Sequence, residues 1–292
     1  MRWIKLNYIL VIIATVLLAF DFALQKSYQA FEGTDLITGL KFNAVNGLLT
    51  AVIFFVLSDF KIEFSLFSVI LAFAMALFGM AYSILSFKIL KTSGMAIYSI
   101  FLMSGGMLLP YFYGVLFLEE DLNPFRIVGV AVILIAVIFS NKGKHNIKVA
   151  VLPLCVAVFI LNGFVSIVSK AHQINETFSH VSSTAFVMYS GIAKFLFSSA
   201  ALLFCKGKKR SAFFSSKATL LVLSSSALIG GISYMLQLIG AKELPATVLY
   251  PIITGGSIVF SALSGKVFFR EKLTSFQLIS ISLCFIGTLL FL

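Results

Sequence analysis

Ten long apolar stretches, separated by short polar breaks, account for almost the whole chain. We predict membrane-spanning helices at about 7–27, 36–58, 65–88, 95–118, 124–140, 148–170, 181–204, 217–240, 245–268 and 274–292, because a span needs roughly 20 apolar residues. No break between them is long enough to form a soluble domain. The pattern therefore predicts an all-α integral membrane protein with ten transmembrane helices.

One stretch of the chain occurs twice. Residues 101–134 align without a gap with residues 252–285, at a constant offset of 151 residues that places Glu120 on Glu271. The same offset also pairs Gly79 with Gly230, Gly105 with Gly256, Gly114 with Gly265 and Lys91 with Lys242. Self-similarity at a fixed period indicates repeated structural units, so we expect a first five-helix repeat at 1–145 and a second at 146–292.

The two repeats should cross the membrane in opposite directions. A looser match near the start of each half, at an offset of 144 residues, pairs Lys26 with Lys170 and Gln29 with Gln173. Each half then holds five spans, and because five is odd the halves are inverted relative to each other. Inverted repeats are typical of secondary transporters, whose binding site lies near the membrane midplane between the halves.

Composition supports the membrane assignment and excludes other classes. The chain is 60% hydrophobic and 11% charged, whereas soluble domains are about 25% charged. The net charge of +11 comes from Lys and Arg clusters between apolar runs, as topogenic charges are arranged, so we expect no nucleic-acid binding.

The basic, apolar N-terminus is predicted to be a retained span and not a cleaved signal peptide. We expect no C-terminal tail beyond the last span.

Two ionisable residues stand out because charges within the hydrocarbon region are unfavourable and usually face a cavity. Lys194 lies near the middle of the seventh span, beyond easy snorkelling distance. Asp21 lies within the first span, with Gln25 one turn further along the same face. Asp21 could be a proton-linked carboxylate or an anchor for a substrate amine. Alternatively, it could be a structural partner of Lys194 or Lys41. Lys26 and Lys170 fall at span ends, where we expect snorkelling.

Matched polar stripes on the third and eighth spans are the second indication of a site. Gly79, Tyr82, Ser83 and Ser86 share one helical face, and the repeat maps this face onto Gly230, Tyr234 and Gln237. The alternative is interhelical hydrogen bonding, which polar residues also provide in membranes. With wall tyrosines added, the predicted substrate-binding residues are Asp21, Tyr82, Ser83, Tyr98, Lys194, Tyr234, Gln237 and Tyr250. Asn43, Asn46 and Asn162 are secondary candidates, and Glu120 and Glu271 are expected to anchor turns.

The repeated motif resembles a known family. A glycine-rich apolar helix, a Glu–x–Leu turn and a helix with an aromatic residue three positions on occur in both halves, with Phe125 and Phe276 as the aromatics. This resembles the drug/metabolite transporter superfamily and, within it, the ten-span EamA-like transporters. The family's proline in the ninth span is matched by Pro251, whereas the first half has Ile100 instead. The resemblance implies secondary transport of small metabolites, often export of amino acids or related compounds, without nucleotide hydrolysis.

These observations predict a secondary active transporter for a small polar metabolite in the cytoplasmic membrane. The expected ligands are an amino acid or a related zwitterion or anion, and a proton is the candidate coupling ion. Efflux of lipophilic cations and a non-transporting membrane scaffold are the alternatives. No protease motif, nucleotide-binding loop or metal-ligand spacing occurs in the sequence, so we expect neither an enzyme nor a cofactor or metal. We expect a monomer or a homodimer.

Two indications of orientation disagree. Lys142, Lys144, Lys148 and the basic residues of 206–217 lie in loops opposite the termini, and the positive-inside rule would place those loops in the cytoplasm. The resemblance implies that the termini are cytoplasmic.

The accessibility of a cysteine introduced into 206–210 distinguishes the two orientations. Labelling by a membrane-impermeant reagent added outside intact cells is expected if the resemblance is right, and protection is expected if the charge rule is right.

Overall fold

The computed structural model describes residues 2–93, 95–140, 151–205, 216–270 and 274–291. Over these residues the chain forms ten helices and no strand: α1 (Arg2–Glu32), α2 (Leu36–Leu57), α3 (Leu66–Ser93), α4 (Met95–Phe117), α5 (Pro124–Ser140), α6 (Leu152–Ile174), α7 (Ser183–Phe204), α8 (Lys217–Glu243), α9 (Ala246–Phe269) and α10 (Ser275–Leu289). The all-α prediction is confirmed. The basic loops at 141–150 and 206–215 and the predicted turn anchor Glu271 lie outside the described residues.

Eight of these helices are long and apolar enough to cross a membrane. Within the described chain, α5 and α10 are shorter, at 17 and 15 residues, or about 25 and 22 Å at 1.5 Å per residue. Large apolar side chains cover the outer surface, with Leu203 and Phe204 each 85% exposed. Apolar surface this extensive fits contact with lipid.

The helices pack in a pattern that brings the two halves of the chain together. Helix α1 packs against α8 and α9, and α6 packs against α3 and α4. Helices α2 and α7 pack against each other, as do α4 and α9, while α5 packs chiefly on α10 and α9. Helix α6 also packs against α8, whereas α1 and α3 make at most a marginal contact over the described residues.

A close approach of two helix backbones holds the centre of the bundle. A Cβ atom added at Gly191 of α7 would lie 2.8 Å from both the Ala51 nitrogen and the Gly47 oxygen of α2. Only glycine permits helices to approach this closely. Since Asn46 is next to Gly47, and Lys194 lies one turn after Gly191, this crossing brings both polar side chains to the middle of the bundle.

Substitution of Gly191 by alanine tests this packing. The added methyl group would meet backbone atoms, so Gly191→Ala should destabilise the fold by about 1–3 kcal/mol. At the matched control Gly79, an added Cβ would have its nearest neighbour 3.9 Å away. Gly79→Ala should therefore leave the stability unchanged or slightly raise it. Thermal unfolding of the purified protein in detergent measures both effects, and equal unfolding temperatures would contradict the close approach.

Candidate functional site

A cavity of about 510 Å³ is lined chiefly by α1, α2, α3, α7 and α8, with further residues from α4 and α6. Its polar wall includes Asp21, Gln25, Asn43, Asn46, Ser83, Ser190, Lys194 and Ser226. Its aromatic wall consists of Phe22, Phe42, Tyr82, Tyr98, Phe197 and Tyr234. A concave site with a largely apolar wall and a few convergent polar groups is typical of a small-molecule site.

A hydrogen-bonded chain connects the two charged residues of the cavity. Ser226 donates to one carboxylate oxygen of Asp21, and Gln25 Nε2 donates to the other over 2.7 Å. Asn46 Nδ2 donates to Ser226 Oγ over 3.2 Å, and Lys194 Nζ donates to Asn46 Oδ1 over 2.8 Å. Two neutral side chains therefore join the carboxylate to the ammonium. These hydrogen bonds stabilise both charges.

Both charged groups lie deep in the bundle. Lys194 is near the middle of α7, roughly 15 Å along the helix axis from either end, and Asp21 is 9% exposed. The Lys194 ammonium also lies 5.7 Å from the centre of the Phe42 ring, within the range of a cation–π interaction. Both residues attracted attention in the sequence because they lie deep within predicted spans, and both line this cavity. Lys41 is half-buried and is not among the residues that line it.

A smaller cavity of about 330 Å³ connects this site to one end of the bundle. The two cavities share Gln25, Phe42, Asn43, Ser83 and Tyr98 in their walls. The smaller one, which we call the vestibule, extends past Ser86 to the α1–α2 connection at residues 33–35. We call this the open end of the bundle, and the end that carries the α8–α9 connection the closed end.

Two tyrosines join neighbouring helices between the cavity and the closed end. The Tyr234 hydroxyl lies 2.9 Å from Ser169 Oγ and 3.0 Å from Met75 Sδ. The Tyr250 hydroxyl donates to the Ser166 carbonyl oxygen over 2.5 Å. These contacts join α8 to α6 and α3, and α9 to α6, on the side of the cavity that faces the closed end.

Hydrogen bonds also join the α2–α3 and α6–α7 connections. Glu63 accepts hydrogen bonds from the Ser182 backbone N–H over 2.6 Å and from its hydroxyl over 2.8 Å. Ser68 Oγ contacts His172 Nε2 over 2.9 Å and accepts from the Val181 N–H over 3.0 Å. His172 is fully buried and stacks on Phe186 at 3.8 Å. Polar contacts between connections thus reinforce the closure.

Six of the eight predicted binding residues line the cavity, namely Asp21, Tyr82, Ser83, Tyr98, Lys194 and Tyr234. Gln237 and Tyr250 do not line it. Gln237 Nε2 donates to Ser233 Oγ over 3.1 Å, and Tyr250 is 7% exposed and bonded to α6. Both lie beyond Tyr234 toward the closed end in this conformation, and contact of either residue with substrate stays a prediction.

Two other residues differ from the sequence-based interpretation. Lys170 was expected to snorkel, yet it is 4% exposed and its ammonium donates to protein carbonyls. Ser226, which bonds Asp21, was not predicted. It continues the Gly230–Tyr234 face one turn toward the start of α8, so extension of that stripe by four residues could have found it. Asn162, a secondary candidate, donates to the Leu102 carbonyl oxygen over 2.8 Å and packs α6 on α4.

No group of three His, Cys, Asp or Glu side chains is arranged to hold a metal ion in the part of the chain that the structure describes. The cavity offers hydrogen bonds and charges suited to a small polar ligand.

Comparison with known proteins agrees with this geometry. Residues 149–292 match the model of the EamA-like transporter family. The chain therefore carries an EamA-like transporter domain in its second half, consistent with the drug/metabolite transporter superfamily, and it is a multi-pass membrane protein. A solved structure titled "Crystal structure of protein" is similar at a TM-score of 0.75 and 18% identity, over 96% of each chain, which shows a shared fold. Comparison with curated protein sequences gave no match.

A double-mutant cycle tests the link between the two charges. Asp21→Asn or Lys194→Met alone leaves one charge in the cavity without its counterpart, whereas the double variant removes both. The stability losses should be non-additive, with a coupling of about 0.5–3 kcal/mol, measured by thermal unfolding in detergent.

The control cycle replaces Lys194→Met by Lys217→Met, at an exposed lysine roughly 14 Å along α8 from Ser226. Its effect should add to that of Asp21→Asn. Additivity in the Asp21–Lys194 cycle as well would show that the charges are independent.

Proposed function

We propose that the protein is a secondary active transporter that moves a small zwitterionic or anionic metabolite across the cytoplasmic membrane, in the direction of export, by alternating access. An amino acid or a related compound is the expected substrate. The observation that carries the proposal is that Asp21 and Lys194, each near the middle of its helix, line one cavity with a vestibule toward one end of the bundle.

The two charges suit the two ends of a zwitterion. The Lys194 ammonium would bind the carboxylate of the substrate and Asp21 would bind its amine, because charge-assisted hydrogen bonds are the strong ones in such a site. Gln25, Asn46 and Ser226 orient the charged groups before the substrate arrives, which reduces the ordering that binding requires. The low-dielectric surroundings strengthen both interactions.

The aromatic wall would bind the rest of the substrate. Tyr82, Tyr98 and Tyr234 offer apolar faces with hydroxyl groups that can hydrogen-bond, and Phe197 adds an apolar face. A small metabolite with one apolar portion fits this combination. A proton is the candidate coupling ion, because Asp21 is the carboxylate in the wall of the larger cavity.

Sequence-equivalent residues support two inverted repeats. The repeat pairs Gly105 with Gly256, and a Cβ at the first would meet Phe159 of α6 while a Cβ at the second would meet Thr15 of α1. Phe159 and Thr15 are themselves 144 residues apart, as the pairing of α1 with α6 requires.

The ends of α4 and α9 add a second match. Glu119 and Arg270, which the offset of 151 residues pairs, both have a φ of 53°. Backbone of this kind is uncommon for residues other than glycine, so its recurrence at paired positions supports a common architecture for the two halves.

Other residues that the repeat pairs differ in their surroundings: one member lines a cavity, and its counterpart lies toward the closed end. Alternating access requires such a difference between the halves. Ser86 lines the vestibule at the open end, whereas its partner Gln237 lies beyond Tyr234 toward the closed end. Gln25 lines both cavities, whereas its partner Ser169 is 7% exposed and bonded to Tyr234. Exchange of these environments between the halves would open the other end of the cavity.

Efflux of a lipophilic cation is the second candidate. The aromatic wall and Asp21 would suit a quaternary ammonium compound. Lys194 opposes this function because its charge would repel the cation inside the same cavity.

Competition for uptake into proteoliposomes tests the proposal. Radiolabelled neutral amino acids, supplied as a mixture, should be transported, and unlabelled zwitterions and organic anions should compete while quaternary ammonium compounds should not. Lys194→Met should reduce transport at least about tenfold, since loss of a charged hydrogen bond corresponds to about 1.5–3 kcal/mol. Lys217→Met, the same change at an exposed lysine, should retain transport.

Competition by quaternary ammonium compounds but not by amino acids or organic anions would favour cation efflux. Full transport in a folded Lys194→Met variant would refute the role of Lys194. A complete lack of transport for every substrate class would favour the scaffold.

A further inference from the structure

Two oppositely charged side chains hold the connection between α8 and α9 at the closed end. One comes from α6 and the other from the segment that follows α4. Lys170 of α6 bonds the end of α8, and Glu120, which follows α4, bonds the start of α9. Neither residue lines the cavity of the candidate site.

Lys170 binds the C-terminal end of α8. Its ammonium donates to the carbonyl oxygens of Ala241 and Leu244, each over 2.7 Å. The last carbonyl groups of a helix have no partner within the helix and carry its partial negative charge. The side chain is 4% exposed, so these bonds are made away from water, where they are strong.

Glu120 binds the N-terminal end of α9. One carboxylate oxygen accepts from the Ala246 N–H over 2.6 Å, and the other accepts from the Thr247 N–H over 2.8 Å. The first N–H groups of a helix have no partner within it and carry its partial positive charge. The position before α9 is Pro245, which has no side-chain hydrogen bond to the helix, so Glu120 takes the place of a local cap.

Local structure after α4 aims Glu120 at this target. Glu119 adopts a left-handed conformation with a φ of 53°, and the Glu120 N–H donates back to the Gly114 oxygen over 3.1 Å. A Cβ at Gly114 would lie 2.6 Å from the Glu120 carboxylate and 3.1 Å from Ala246 Cβ. The glycine therefore provides the space in which the carboxylate reaches α9.

Two observations distinguish this pair from an ordinary structural contact. Lys26, the sequence counterpart of Lys170, is exposed at the open end, with its ammonium 4.5 Å from the Phe269 ring centre, so burial of this lysine differs between the two ends. Thr247, whose backbone N–H donates to Glu120, is fully buried, and its hydroxyl has no hydrogen-bond partner among the described residues. A buried hydroxyl without a partner is unfavourable, and water would relieve it if this end opened.

We propose that Lys170 and Glu120 form a lock that keeps the closed end shut and must release for the cavity to open there. The proposal rests on the alternating access proposed above. The Lys170 ammonium and the Glu120 carboxylate bond opposite ends of the same short connection. Release of the α8 and α9 ends from α6 and α4 would separate Tyr234 and Tyr250 from Ser169 and Ser166.

Thiol labelling tests the lock without substrate or transport. Thr247→Cys is introduced into a protein that carries Cys155→Ala, Cys205→Ala and Cys284→Ala, and the rate of its reaction with a maleimide is measured in detergent. Glu120→Gln and Lys170→Met should each raise this rate about tenfold or more, since a tenfold change in the open fraction corresponds to about 1.4 kcal/mol. Glu119→Gln and Lys242→Met, which remove exposed charges next to the lock, should leave the rate unchanged.

A second reporter separates opening of this end from general loosening of the fold. Cys284, fully buried in α10, is retained alone in the same four variants. Its reaction should remain slow in all of them.

An unchanged Thr247→Cys rate in both lock variants would overturn the proposal. So would a parallel increase at Cys284, or an equal increase in the Glu119→Gln and Lys242→Met controls. Because labelling needs no substrate, loss of the lock effect would be distinguishable from failure of the transport proposal.

Discussion

The energetic cost of charge inside a membrane is the constraint on which the rest of this structure depends. An ammonium or a carboxylate at the centre of the hydrocarbon region must face a cavity or a partner, and Lys194 and Asp21 have both. Asn46, Ser226 and Gln25 complete their hydrogen bonds. The helices α1, α2, α7 and α8 that supply these residues therefore have to meet around one cavity. The Gly47–Gly191 crossing makes this possible by bringing the α2 and α7 backbones into contact.

The two ends of the bundle differ in a way that fits one conformation of a transport cycle. At the open end the vestibule reaches the α1–α2 connection. At the closed end Tyr234, Tyr250, Lys170, Glu120 and Glu63 all bond across elements. Residues that the sequence repeat pairs thus lie in two environments, one open and one closed, as the proposed alternating access requires.

Much of the fold could be predicted from the sequence, because apolar runs of about 20 residues have few alternatives. Lys194 and Asp21 were identifiable for the same reason, since ionisable residues are rare within such runs. Gln237 was placed in the site because the repeat maps it onto the polar face of α3, and Tyr250 was added as a wall tyrosine, but the sequence does not reveal which end is closed. Lys170 was expected to snorkel because it lies near a span end, and sequence depth does not show that the end of α8 covers it. Ser226 lies one turn before Gly230 on the polar face of α8, and the predicted stripe ended before reaching it.

Protection of a cavity cysteine by substrate is the most direct test of the central claim that Asp21 and Lys194 form a water-accessible binding site within the membrane. Ser83→Cys, in the wall shared by the cavity and the vestibule, would be introduced into a cysteine-free protein in proteoliposomes. We predict reaction with a water-soluble, membrane-impermeant maleimide, slowed by a mixture of neutral amino acids in the Lys194 protein and not slowed in Lys194→Met. An unreactive Ser83→Cys, or equal protection in both proteins, would contradict the account.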